Sequence, residues 1–134
     1  MLLIALLAAV AAPDDGCGDK SNQTAMNMCA GASAERVEAE LNRVWKLAYA
    51  AQQTADRDLA KDPDDPHQPR KGEPGYAAAL LTAQRAWLAF RMAQCRVERY
   101  QWVGGTMQPF ADAECMVDVT QTRIRQLRYL TDQK

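Results

Sequence analysis

Four side chains of different chemistry share one face of a segment with helical spacing. In AQRAWLAFRMAQC, the positions of Gln84, Trp87, Arg91 and Cys95 are i, i+3, i+7 and i+11. Residues at these intervals lie on the same side of an α-helix. A helix face that meets a core normally carries aliphatic side chains. An amide, a guanidinium and a thiol on this face therefore need a chemical explanation.

Arg91 places the strongest requirement on its surroundings. A buried guanidinium without partners is costly in free energy, so a carboxylate or several carbonyl oxygens must meet it. Two other segments of the chain offer polar partners for this face. We predict a structural polar network that joins the segments and consists of Glu38, Asn42, Gln84, Trp87, Arg91, Thr120 and Arg123.

The same set of residues is a poor catalytic site. It contains no histidine, no nucleophile beside a base and no second converging carboxylate. These are the groups that acid–base and nucleophilic catalysis use. We therefore predict that the protein is not an enzyme and that it has no cofactor.

The segments that must position these side chains have the apolar spacing of helices. Apolar residues recur at alternating three- and four-residue intervals over residues 34–62, which predicts a first helix. A second helix is predicted from about Tyr76 to Tyr100, and a third from Pro109, a residue type favoured in the first turn of a helix. No segment alternates as a strand does. The predicted fold class is all-α, with three main antiparallel helices in a bundle.

Two connections and a short N-terminal helix complete the predicted fold. Residues 62–75 contain four of the six prolines, which excludes a helix there and predicts a solvated loop. Two adjacent glycines provide the turn between the second and third helices. The short N-terminal helix is predicted to be capped by Ser21 or Asn22 and to bend away from the first main helix at Gly31.

The first eleven residues have the composition of a secretion signal. LLIALLAAV is an apolar run too short to cross a bilayer, and the AVA at its end is a small-residue cleavage site. We predict a signal peptide over residues 1–11 and one domain over 12–134, periplasmic or secreted. Asp14 stands three positions before Cys17, where a lipidated cysteine requires an apolar residue. No membrane attachment is therefore expected after cleavage.

The four cysteines, Cys17, Cys29, Cys95 and Cys115, predict two disulfides in an exported chain. Their spacing contains no C-x-x-C pair, so no metal site is predicted. Cys95 and Cys115 lie at similar distances before and after the glycine turn, so they face each other in an antiparallel hairpin. This pairs Cys17 with Cys29. The alternative, in which Cys17 or Cys29 reaches across to the hairpin, stays open because sequence alone does not fix connectivity.

The charge of the chain is divided unevenly between its two parts. Residues 12–66 hold eleven acidic and six basic residues, a balance of −5, whereas residues 67–134 hold six acidic and ten basic residues, a balance of +4. No single basic stripe dominates either part. Nucleic acid is therefore not expected as a partner.

Four blocks of the sequence are informative when taken together: MNMCA (26–30), EAELNRVW (38–45), LTAQRAWLAFRMAQC (81–95) and GGTMQPFADAEC…VTQTRIRQL (104–127). They contain A-Q-x-A-W-x-x-x-R-x-x-x-C, G-G-[ST] and a later T-x-x-R, a combination more specific than any of its pieces. In this order the blocks resemble the lysozyme-inhibitor LprI-like N-terminal domain, a small exported helical module with four cysteines. Glu38 stands where the family usually has aspartate, and Trp45 where it usually has tyrosine.

The resemblance implies lysozyme inhibition as the function, and the alternative is a structural or adaptor module of the cell envelope. Lysozymes that attack bacterial walls are commonly basic, so the expected partner is a basic lysozyme or another exported protein, bound by a monomer. Opposite charge accelerates such association. The expected contact surface is acidic and lies at the end of the first helix and the start of the loop: Asp56, Asp58, Asp62, Asp64 and Asp65.

Overall fold

The computed structural model describes residues 16–132, so the predicted signal peptide lies outside the described residues. Three helices form this part of the chain: α1 over Gln23–Leu59, α2 over Tyr76–Arg99 and α3 over Gln108–Asp132. A single 3₁₀ turn precedes α1 and another follows α2. No strand occurs between residues 16 and 132, and the all-α prediction is confirmed.

The first helix is longer than the sequence predicts. The segment predicted as a separate N-terminal helix is helical, but it continues through Gly31 without interruption, and α1 has 37 residues. Asn22 is the cap, and its Oδ1 accepts a hydrogen bond from the Ala25 amide at 2.9 Å. One glycine inside a helix costs only about 1 kcal/mol. Burial of Ala30 and Ser33 on either side of Gly31 keeps this segment helical.

The helices run up, down and up, so that α2 is antiparallel to both of its neighbours. The start of α2 lies beside the end of α1, where Asp56 contacts the Tyr76 amide. The starts of α1 and α3 also lie together, because Asn27 Nδ2 donates to the Thr106 carbonyl at 3.1 Å. Helices α1 and α3 are therefore parallel, and they share the most extensive helix–helix contact of the described fold.

The hydrophobic core lies where the three helices meet. Its buried members recur at intervals of three or four residues on α1 and α3, as one face of a helix requires. Trp45, Trp87 and Leu130 are partly buried and pack against it. Full burial of an aliphatic side chain stabilises the fold by roughly 1.5–3 kcal/mol. The core residues are Leu41, Val44, Ala48, Leu80, Ile124 and Leu127.

The loop between α1 and α2 is organised by side chains that bond to its backbone. Gln68 Nε2 donates to the carbonyl oxygens of Leu59 and Asp62, at 2.6 and 2.8 Å. The Tyr76 hydroxyl donates to the His67 carbonyl at 2.9 Å. The turn between α2 and α3 uses Gly104 at a φ of 79°, in the left-handed region that glycine enters without strain.

Two disulfides hold the fold together, and both pairings agree with the prediction. Cys95 in α2 is bonded to Cys115 in α3, with their Cα atoms 5.6 Å apart. Cys17 is bonded to Cys29 with a Cα–Cα distance of 5.4 Å, and it attaches the chain before α1 to the first turns of that helix. Among the described helices, none is both long and apolar enough to cross a bilayer.

Candidate functional site

Arg91 occupies the centre of a polar cluster between the three helices. Its side chain is buried in the middle of α2. Its Nη1 donates to Glu38 Oε2 of α1 at 2.6 Å and to Thr120 Oγ1 of α3 at 3.0 Å. Glu38 is half-exposed and Thr120 is fully buried. One guanidinium therefore connects all three helices, and the carboxylate that neutralises it remains in contact with solvent.

A second arginine extends the cluster along α3. Arg123 is buried, and its Nε donates to Gln84 Oε1 of α2 at 2.9 Å. Its Nη1 donates to Gln126 Oε1 at 3.1 Å. Removal from water disfavours the charged form of this side chain, so burial lowers the pKa of Arg123. The amide of Gln84 thus has the partner that its position on a buried face requires.

The ring of Trp87 contacts both guanidinium groups. The Arg91 Cζ lies 4.7 Å from the ring centre, and the Arg123 Cζ lies 6.0 Å from it. Each distance lies within the range of a cation–π interaction. Arg91 Nε and Arg123 Nη2 are buried without a hydrogen-bond partner among residues 16–132. The Trp87 ring therefore adds a cation–π attraction to two guanidinium groups whose hydrogen bonds are incomplete.

The chemistry of this cluster is that of a structural junction. It holds two guanidinium groups, one carboxylate, the side-chain amide of Gln84 and a hydroxyl that accepts from Arg91. Over the described part of the chain, no three histidine, cysteine or acidic side chains are placed to hold a metal ion. Its main hydrogen bonds join different helices, since Arg91 bonds to α1 and α3 and Arg123 bonds to α2.

Six of the seven side chains predicted for the polar network meet in this cluster, and Asn42 does not. Asn42 is exposed, and no hydrogen bond joins its side chain to the cluster. It follows Leu41, which is buried in the core, and one residue along a helix turns the side chain by about 100°. The rotation that buries Leu41 therefore turns Asn42 towards solvent, and its inclusion in the network is corrected.

The structure gives Asp56 a role that differs from the predicted partner contact. Asp56 Oδ1 accepts from the Tyr76 amide at 2.7 Å, and Oδ2 accepts from the Ala77 amide at 3.0 Å. These amides belong to the first turn of α2, which Gly75 precedes without a side-chain cap of its own. A Cβ on Gly75 would lie 2.9 Å from Asp56 Oδ1. Asp56 is therefore the cap of α2, supplied from α1, and glycine leaves room for it.

The other four acids of the predicted contact surface differ in whether their carboxylates already have a partner within the chain. Asp58 pairs with Lys61 at 2.7 Å. Asp65 Oδ1 accepts from the His67 amide at 2.7 Å, which lowers the pKa of Asp65. Asp62 and Asp64 are exposed, and no Lys, Arg or His between residues 16 and 132 pairs with either of them. They are the members of the set that remain open to a partner.

Sequence reasoning missed an exposed ion network between α1 and α3. Glu40 Oε1 contacts Arg43 Nη2 at 2.7 Å and also contacts Arg128. The hydrogen bond from Arg43, with help from Arg128, lowers the pKa of Glu40 from 4.5 to about 2. The i,i+3 spacing of Glu40 and Arg43 was a usable signal, because such pairs meet on a helix surface. Nothing local indicated Arg128, which is 88 residues from Glu40.

The fold and the cluster define a small all-α domain whose three helices are joined by buried arginines, with one disulfide between α2 and α3 and a second that attaches the segment before α1 to that helix. The chain belongs to the family described as lysozyme inhibitor LprI, whose sequence profile matches residues 14–127. An uncharacterized protein of Rhizobium meliloti (strain 1021) is 32% identical over 120 residues, which cover 90% of this chain and 81% of that protein. No solved structure matches the chain at a significant level.

Proposed function

We propose that the protein binds and inhibits a lysozyme-type hydrolase of bacterial cell walls. Membership of the lysozyme inhibitor LprI family is the observation that carries the proposal. The two disulfides fit an exported protein, because such bonds form and persist in oxidising compartments. A lysozyme acts on the cell wall, so an exported protein meets it in the same compartment.

The proposed contact with the hydrolase is the acidic start of the loop after α1. Asp62 and Asp64 are exposed there and free of cationic partners, whereas Asp56 is used to cap α2. The Asp62 side chain accepts from the Asp64 amide at 3.2 Å, which fixes the geometry of this short segment. Complementary charge raises the association rate with a basic enzyme, and salt screens it.

The experiment is a wall-clearing assay with a basic lysozyme and the purified oxidised chain. Inhibition is expected at micromolar protein and is expected to weaken with added salt. Changing Asp62→Asn and Asp64→Asn together is expected to weaken inhibition by about tenfold, equal to about 1.4 kcal/mol. The matched control changes Asp19→Asn and Glu35→Gln, two exposed acids outside the loop, and is expected to leave inhibition unchanged.

Two results would contradict different parts of the proposal. No inhibition by the wild-type chain at micromolar concentration would overturn the inhibitory function for the lysozymes tested. Equal inhibition by the wild-type chain and the Asp62/Asp64 variant would overturn the contact surface and leave the function standing.

A further inference from the structure

A groove runs along the outer side of the α2–α3 hairpin, and no residue of α1 lines it. One cavity of about 540 Å³ lies near the turn and includes Trp102 and Phe110. A second, of about 420 Å³, includes Trp87 and Phe90. Glu98 and Asp118 line both cavities, so the two are neighbouring parts of one groove. Trp87 and Trp102 are 15 positions apart, which corresponds to roughly 22 Å along a helix.

The groove is apolar at both ends and acidic in between. Phe90 is 54% exposed and Trp102 is 42% exposed, although both are large hydrophobic side chains. Exposed apolar surface of this kind, rimmed by polar residues, is typical of protein interaction sites. The charged residues that line the two cavities are all acidic: Glu98, Glu114 and Asp118.

Two of these acids, Glu98 and Asp118, lie where the two cavities meet. Between residues 16 and 132, no lysine or arginine forms an ion pair with Glu98 or Asp118. Glu98 Oε1 accepts a hydrogen bond from the neutral side-chain amide of Gln94 at 2.9 Å. Neither buried arginine of the polar cluster lines the groove. Two uncompensated carboxylates between aromatic rings favour an occupant that carries positive charge between apolar groups.

We propose that this groove is a docking site for a basic amphipathic helix of another protein. The apolar face of such a helix covers Phe90 and Trp102, and its lysine or arginine side chains meet Glu98 and Asp118. A helix of about 14 residues spans roughly 21 Å, close to the length of the groove. The site is separate from the loop acids proposed to contact lysozyme and does not depend on lysozyme inhibition.

The test uses the full oxidised chain and two fluorescent synthetic peptides of about 14 residues. Both carry leucine on one helix face, and their remaining positions are lysine in one and glutamate in the other. Fluorescence anisotropy is expected to show binding of the lysine peptide and at least about tenfold weaker binding of the glutamate peptide. Changing Glu98→Gln and Asp118→Asn together is expected to weaken lysine-peptide binding by about tenfold.

Two matched controls separate docking in the groove from general attraction. The Asp62→Asn, Asp64→Asn pair removes the same charge from the loop and is expected to leave peptide affinity within about twofold. Phe90→Ala is expected to weaken binding by about fivefold. Tyr129→Ala, which removes a ring of similar or greater exposure outside the groove, is expected to leave binding unchanged.

Three outcomes would overturn the docking site. They are no binding of the lysine peptide at about 1 mM, equal binding of the two peptides, and equal losses from the groove and loop charge variants. Glu98, Asp118 and Phe90 are all exposed and outside the core, so each variant is expected to fold. Thermal melting of each variant checks this. Loss of lysozyme inhibition has no bearing on these outcomes.

Discussion

The two ends of α2 are attached to the rest of the molecule by different kinds of bond. At its C-terminal end, a disulfide joins Cys95 to α3 across the turn. At its N-terminal end, the Asp56 carboxylate of α1 accepts two backbone hydrogen bonds from the first turn, with no covalent link. The covalent end closes a short glycine turn, and the hydrogen-bonded end closes a long proline-rich loop.

Each kind of connection suits the segment that it closes. A turn with adjacent glycines has little order of its own, because glycine has many backbone conformations in the unfolded chain. A disulfide there removes much of that freedom. The longer loop has four prolines, which restrict the backbone in advance, and Gln68 fixes it internally. For that end, one carboxylate that satisfies the unpaired amides of a helix terminus is sufficient.

The largest expected effect comes from breaking the covalent end. Changing Cys95→Ala and Cys115→Ala is expected to lower the free energy of unfolding by about 3 kcal/mol, because the bond closes a loop of about 20 residues. Urea unfolding of the oxidised variant and wild type measures the difference. Hydrogen exchange is expected to accelerate first around Gly104, while the first turn of α2 keeps its protection. A loss below about 1 kcal/mol would contradict the assigned role of this bond.

A smaller effect is expected from breaking the hydrogen-bonded end. Asp56→Ala leaves the Tyr76 and Ala77 amides without their acceptor and is expected to cost about 1–2 kcal/mol. Asp58→Ala is the matched control. Asp58 lies two residues after Asp56, and its removal breaks only an exposed ion pair with Lys61, so the expected cost is less than about 0.5 kcal/mol. Equal losses in the two variants, measured by urea unfolding, would show that Asp56 does not cap α2.

Gly75 allows the contact of Asp56 to be isolated in a double-mutant cycle. Gly75→Ala places a Cβ 2.9 Å from Asp56 Oδ1 and is expected to cost about 1 kcal/mol, although its φ of −66° suits any residue. In an Asp56→Ala background the close contact is gone, so the same change is expected to cost nearly nothing. Additive losses would mean that alanine acts there through something other than Asp56.

The smallest expected effect lies outside α2, in the exposed ion network of Glu40. The pKa of Glu40 is lowered to about 2 in the folded chain, so its contribution to stability is complete above its ordinary pKa of 4.5. It is lost as the pH falls from there towards about 2. Urea midpoints of wild type and Glu40→Gln are therefore expected to differ at neutral pH and to converge in this acid range. A difference that persists unchanged at about pH 2 would contradict the pKa shift.

Sequence patterns predicted those parts of the fold that depend on local spacing. The bounds of α2 and the start of α3 follow from apolar periodicity and from proline, and the cysteine pairing follows from the hairpin. The polar cluster was also accessible, since Arg91 on a core-facing side demands partners and Glu38 and Thr120 are within reach of it. These inferences rest on the side-chain periodicity of a helix and on the cost of burying a charge.

Other features depend on tertiary contacts that local sequence does not contain. The capping of α2 by Asp56 joins residues 20 positions apart, and Asp56 looks like any other acid at the end of a helix. The continuity of α1 through Gly31 depends on the packing around it, which outweighs the low helix propensity of glycine. Asn42 was wrongly assigned to the polar network because it directly follows the buried Leu41, and the next residue along a helix faces a different direction.

The length of α2 also makes it a spacer. The loop acids lie near its start at Tyr76, whereas Glu98 in the groove lies 22 residues further on, roughly 33 Å away along the helix axis. One continuous helix therefore separates the regions that carry these two surfaces. A hydrolase at one and a basic helix at the other would therefore be tethered to each other through this protein, each raising the local concentration of its neighbour.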